Sequence, residues 1–131
     1  MTEDQIKECA KIFINIVKRT LKVELDFNEE AILRLDELVD QLIENTLRDQ
    51  IHDHIDGVVA LFASFLGEAI IRTLGGEWVK TSNGWGVQIG DTTLSIFNKV
   101  KKRLLEGESD SIYYYYKSTK GMVKNNFEDL K

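Results

Sequence analysis

Between Ile51 and Ile70 the apolar residues return every three or four positions, and past Gly75-Gly76 they return every second one. That switch from a helical to a strand period, punctuated by two glycines, restricts the chain to folds in which a long apolar helix runs into a β-sheet. The helical part, about 51–74, carries Ile51, Ile55, Val58, Val59, Phe62, Phe65, Leu66, Ala69 and Ile70. At 100° per residue Ser64, Glu68 and Arg72 fall on one narrow line and most of the remaining circumference is apolar, the pattern of a central helix. Ala60, Ala63 and Gly67 lie on another side, where missing bulk predicts close approach of a neighbouring backbone.

The strand part, about 77–96, reads as a three-stranded antiparallel meander. A two-residue turn at Asn83-Gly84 pairs Ser82 with Trp85, Lys80 with Val87 and Trp78 with Ile89. A second turn at Gly90-Asp91 pairs Ile89 with Thr92 and Val87 with Leu94. Both turns put Trp78, Trp85, Val87, Ile89, Leu94 and Ile96 on one face, and Glu77, Thr81, Gly86, Gln88, Thr93 and Ser95 on the other.

Flanking helices complete an α+β domain. Thr2 with Gln5 forms a capping-box pattern ahead of Ile6, Cys9, Ala10, Phe13, Ile16 and Val17, predicting a first helix from about Thr2 to Leu21. Asn28, followed by Glu29 and Glu30, is an N-cap with acids at the positive end of the helix dipole, and the stripe Ile32, Leu35, Leu38, Val39, Leu42, Ile43 follows. After the meander, Phe97, Val100 and Leu104 predict a helix ended by Gly107. Ser109-Asp110-Ser111 can cap a last helix carrying Ile112 and Tyr113–Tyr116 and stopped at Gly121, against the strong β propensity of four tyrosines. A chain of 131 residues has room for one domain, 1–131, with one core.

The charge is unevenly distributed. The net charge is −5, yet residues 24–56 hold eleven acids (Glu24, Asp26, Glu29, Glu30, Asp36, Glu37, Asp40, Glu44, Asp49, Asp53, Asp56) against Arg34 and Arg48, a balance of −9. The rest of the chain is therefore net positive. An acidic protein is a poor nonspecific ligand for nucleic acid or anionic lipid, so neither is expected as a partner. One cysteine, Cys9, cannot form an internal disulfide, and Met-Thr-Glu-Asp-Gln is not a secretory start, which together predict a reducing cytoplasm. The longest apolar run, interrupted by Glu68, falls short of the ~20 residues of a membrane span.

The segment Phe65-Leu66-Gly67-Glu68-Ala69-Ile70-Ile71-Arg72, then Gly75-Gly76-Glu77-Trp78, Trp85 and Ile96-Phe97-x-Lys99-Val100-x-Lys102-Arg103-Leu104, resembles a group of small uncharacterised bacterial proteins. The resemblance covers roughly Leu61 to Tyr116. It implies a bacterial source and an α+β fold, and its motifs are those of helix-to-sheet packing, so no catalytic residue is carried over.

Candidate chemistry is sparse. His52 and Asp56, four apart, can share a helical face with Asp49, but two histidines in all do not complete a zinc or di-iron ligand set, and no metal or other cofactor is expected. Glu68 and Arg72 at i, i+4 suit either a structural ion pair or an acid/base carboxylate with its charge partner. Cys9 lies on an apolar stripe and reads as core. The glycines match no phosphate or dinucleotide loop. Lys99-Val100-Lys101-Lys102-Arg103 reads as a solvated basic face, and Tyr113–Tyr116 as core packing on one side of its element. Two classes of function remain. One is a non-catalytic acidic interaction protein, immunity-like or regulatory, meeting a basic partner through Glu37, Asp40 and Glu44. The other is a small-molecule binder or enzyme with a pocket at Glu68 and Arg72 beside the tryptophan face of the sheet.

Overall fold

The computed structural model describes residues 1–107 and 111–129. Its elements follow in the order α1 (Glu3–Leu21), α2 (Glu29–Asn45), α3 (Arg48–Asp53), α4 (Ile55–Leu74), β1 (Glu77–Thr81), β2 (Gly84–Ile89), β3 (Thr92–Leu94), α5 (Ile96–Glu106) and α6 (Ile112–Asp129). This is the α+β arrangement that the change of period predicts.

Local chemistry sets the helix ends. Thr2 Oγ1 accepts from the Gln5 amide at 3.2 Å while Gln5 Oε1 accepts from the Thr2 amide at 2.8 Å, so the capping box opens α1. Asn28 Oδ1 accepts from the Ala31 amide at 2.9 Å and opens α2. From Phe62 to Ile70 every residue of α4 is buried. Around it pack α1, α2, α5 and the sheet. Phe13 lies 4.8 Å from Phe62 and 5.3 Å from Phe65 between ring centroids, joining α1 to this centre. By length and composition α4 is apolar enough to cross a membrane, which corrects the expectation that the run is too short. From Phe62 to Ile70 its surface is here covered by the other helices and the sheet, as in the core helix of a globular domain.

The sheet has the order β1-β2-β3, and Trp78, Val87 and Leu94 are buried on one face with the half-buried Trp85 and Ile89. The second turn holds the expected pairs, Val87 with Leu94 and Ile89 with Thr92. The first hairpin differs, because it turns on Ser82-Asn83 and pairs Lys80 with Trp85 and Trp78 with Val87. A turn at Asn83-Gly84 of the expected kind needs a left-handed backbone at both residues, but here only Gly84 has positive φ, at 104°. Thr81 closes the loop by donating to the Gly84 carbonyl at 2.6 Å and accepting from the Asn83 amide at 3.2 Å. The pairing moves by two residues, so the faces survive the shift.

Three further expectations are corrected. The predicted third helix is two helices, α3 and α4, separated at His54. The last helix does not stop at Gly121 but continues to Asp129, and the proposed capping residues Ser109 and Asp110 lie outside the described residues. The neighbour that Gly67 accommodates is the Trp78 indole, not a backbone; a Cβ at Gly67 would overlap the six-membered ring.

Candidate functional site

The most tightly connected polar group among the described residues joins α2, α5 and the start of α6. Asp36, one turn after Ile32 and beside the buried Leu35, accepts from Arg103 Nε at 3.0 Å, Ser111 Oγ at 3.0 Å, and the Ile112 and Tyr113 amides at 2.9 Å each. Arg103 also reaches Asp40 Oδ1 at 2.7 Å and the Asp36 carbonyl at 3.3 Å through Nη2. Its Nη1 is buried with no hydrogen-bond partner among the described residues. Burial tends to raise the pKa of Asp36, but the Tyr113 and Ile112 amides, with Arg103 and Ser111, outweigh it and hold the carboxyl below its ordinary value. Burial likewise opposes the charge on Arg103, and Asp40 and Asp36 overcome it and raise its pKa. Asp36 therefore caps α6 from another helix, which α6 needs because its first amides have no partner within the helix.

This group revises two readings. Arg103 is not part of a solvated basic face: it is 2% exposed. Asp40 is not a free member of an interaction surface, because its carboxylate is held by that arginine. The signal was present in the sequence, since Arg103 shares the stripe of Ile96, Val100 and Leu104, and a charge on a core stripe requires a buried partner.

The eleven acids of residues 24–56 now divide. Glu24 pairs with Lys18, Glu30 with Arg34, Glu29 with Lys117 and Lys120, and Asp36 and Asp40 with Arg103, while Asp26 accepts from the Phe27 amide. Glu37, Glu44, Asp49, Asp53 and Asp56 are exposed and have no ion pair or hydrogen bond among the described residues. Glu37 and Glu44 lie on α2, Asp49 and Asp53 on α3 and Asp56 in the first turn of α4, with Arg48 among them. Of the expected surface residues, Glu37 and Glu44 thus stay available to a partner.

The other candidates are not assembled into a site. The helix is broken at His54, between His52 and Asp56; both line one shallow depression with Asp53 and His54, but no group of three side chains placed to hold a metal ion comes together among the described residues. Glu68 is buried and Arg72 exposed, and no ion pair joins them, because the Arg72 guanidinium stacks 4.0 Å from the Phe27 ring centroid. Cys9 is half-buried. Of the four tyrosines, Tyr116 is buried and its hydroxyl lies 3.1 Å from Thr73 Oγ1, whereas Tyr114 is 75% exposed.

One apolar depression was not foreseen. The helices α1 and α2 both lie on α4 and hardly touch each other, leaving a groove of about 320 Å³. Phe13, Ile16, Val17 and Leu21 form one wall, Leu38 and Leu42 the other, and Val58, Leu61 and Phe62 the floor. A smaller depression continues it past Leu21, Val23, Leu38 and Gln41 to Arg34 and Glu37. No protein-family model, curated protein or solved structure matches the chain.

Proposed function

We propose that this chain is a non-catalytic interaction protein that meets a basic partner through the exposed acids of α2, α3 and the start of α4. The observation that carries the reading is the division of the acids. Those needed by the fold are paired or hydrogen-bonded, and the five left over, spread over α2, α3 and the first turn of α4 with Arg48 among them, are exposed and have no ion pair among the described residues. Solvated carboxylates at this density raise the local negative potential, which speeds encounter with a cationic surface and rejects an acidic one.

The test reverses Glu37, Glu44 and Asp53 to lysine and leaves Asp36 and Asp40 in place, so that charge changes without removing the anchor of Arg103. Proteins captured from a cell lysate by the wild type at about 0.05 M salt should be lost at about 0.5 M, where the Debye length is below ~5 Å. They should also be lost from the reversed variant at low salt. Recovery of the same proteins by both chains at both salts would overturn the reading.

A further inference from the structure

We infer that the groove between α1 and α2 is the seat of an amphipathic helix supplied by the basic partner, with its apolar face on α4 and its cationic flank toward α2. The inference rests on the reading above and identifies the kind of element that the partner presents. A slot with two helical walls and a helical floor has the form that admits a third helix packed beside the first two. Its lining is uncharged: Phe13, Ile16, Leu21, Leu42, Leu61 and Phe62 are among the side chains it offers. Ile16 is 42% and Leu21 44% exposed although each lies on an apolar wall, so cover would remove apolar surface from water.

Charge chooses the occupant. On α2, Glu37 and Glu44 stand three or four residues from the groove-lining Gln41, one on each side of it in sequence, which places both along the outer rim of that wall. Both are exposed and unpaired among the described residues. The α1 rim is different, carrying Ile12 and Ile16 with Arg19. An occupying helix is therefore met along one flank by Glu37 and Glu44, with Arg34 beside them engaged by Glu30 at 3.9 Å, and along the other by mainly apolar side chains, which selects lysine or arginine on the α2 side and disfavours them on the α1 side.

The probe is a synthetic helical peptide of about five turns, with leucines at i, i+3, i+4 and i+7 and lysines along one flank, followed by fluorescence anisotropy. A scrambled peptide of the same composition is the control. The wild-type protein should bind the helical peptide and not the scrambled one. Ile16→Glu and Leu21→Glu, at sites already half-exposed and checked for folding by thermal melt, should each weaken binding at least about tenfold at any salt. Glu37→Lys with Glu44→Lys should weaken it at low salt, with the difference closing as salt rises.

Equal binding of the scrambled peptide, or no loss with Ile16→Glu and Leu21→Glu, would overturn the groove while leaving the acidic surface as proposed. Loss with the groove variants but none with the charge reversals would overturn the assignment to a basic helix and leave the acidic surface to the lysate experiment. Absence of peptide binding up to millimolar concentration would overturn the groove alone, because the lysate experiment decides the acidic surface independently. A dimer in sedimentation that Ile16→Glu dissociates would give the groove to a second copy and overturn the assignment to a basic helix.

Discussion

Replacing Asp36 with alanine removes the acceptor of four hydrogen bonds at 2.9–3.0 Å and leaves Arg103, 2% exposed, with Asp40 as its remaining carboxylate. Two costs combine. A buried charge that loses its partner typically destabilises by about 3–5 kcal/mol, and the first amides of α6 lose their acceptor. Because Asp40 still holds Arg103 at 2.7 Å and offsets part of the first cost, we expect a total loss of about 3–5 kcal/mol. A domain of this size has about 7–20 kcal/mol in total, at ~0.05–0.15 kcal/mol per residue, so the variant should fold but melt about 10–20 °C lower. Asp40→Ala should cost only about 1 kcal/mol, because the Asp40 side chain is 41% exposed and water replaces much of what it supplies. Urea unfolding followed by far-ultraviolet circular dichroism measures both, and an unchanged m-value confirms that two-state comparison holds. The double variant Asp36→Ala/Arg103→Met should be destabilised less than the sum of its singles by more than ~1 kcal/mol, since removing both charges leaves neither unpaired. If Asp36→Ala costs no more than Glu37→Ala, or if the two positions are additive, the reasoning that places a buried ionic anchor here is wrong.

The same contacts set a pH dependence for the wild type. The carboxyl of Asp36 is held below its ordinary value in the folded protein, so near pH 4 the unfolded chain binds more protons and stability rises with pH. The contribution is complete above the ordinary carboxylate range and is lost as pH falls through the lower folded value, so urea midpoints should decline below about pH 4 more steeply in the wild type than in Asp36→Asn. Trp78→Ala should cost about 3–5 kcal/mol, since the indole is 7% exposed and fills the space over Gly67. Gly67→Ala should destabilise by about 1–3 kcal/mol and shift Trp78 fluorescence, whereas Gly121→Ala, inside α6 with nothing within 4 Å of the added Cβ, should stabilise by about 0.5–1 kcal/mol; thermal melts that rank the two the other way would contradict the packing described.

What could be read in advance, and what could not, divides along one physical line. Caps and periods depend on neighbours in sequence, so Thr2 with Gln5, Asn28, the α4 stripe and the shared face of Trp78, Val87 and Leu94 were all legible. The hairpin register failed by two residues because the turn depends on whether Asn83 adopts a left-handed backbone, a choice that Thr81 settles through its hydroxyl. The bond from Asp36 to Arg103 spans 67 residues, and no local pattern announces which of eleven acids an arginine will choose. The break at His54 was hidden because apolar residues on both sides keep nearly the same period.

That division bears on function through α2, which carries acids of two kinds within two turns. Asp36 and the partly exposed Asp40 are neutralised by the buried Arg103, while Glu37 and Glu44 leave their charge in water. A count of net charge treats the four alike. Their consequences are opposite, because neutralising the first pair should loosen α5 and α6 and change no association rate except by unfolding, whereas reversing the second pair should leave the melt nearly unchanged and slow binding to a cationic helix. Buried ionic contacts also hold α2 against α5 and α6 and so fix the position of the wall formed by Leu38 and Leu42. The groove and its acidic rim are thus carried on a helix whose opposite side is tied down, an arrangement that keeps the apolar and charged parts of the proposed binding surface in one fixed relation.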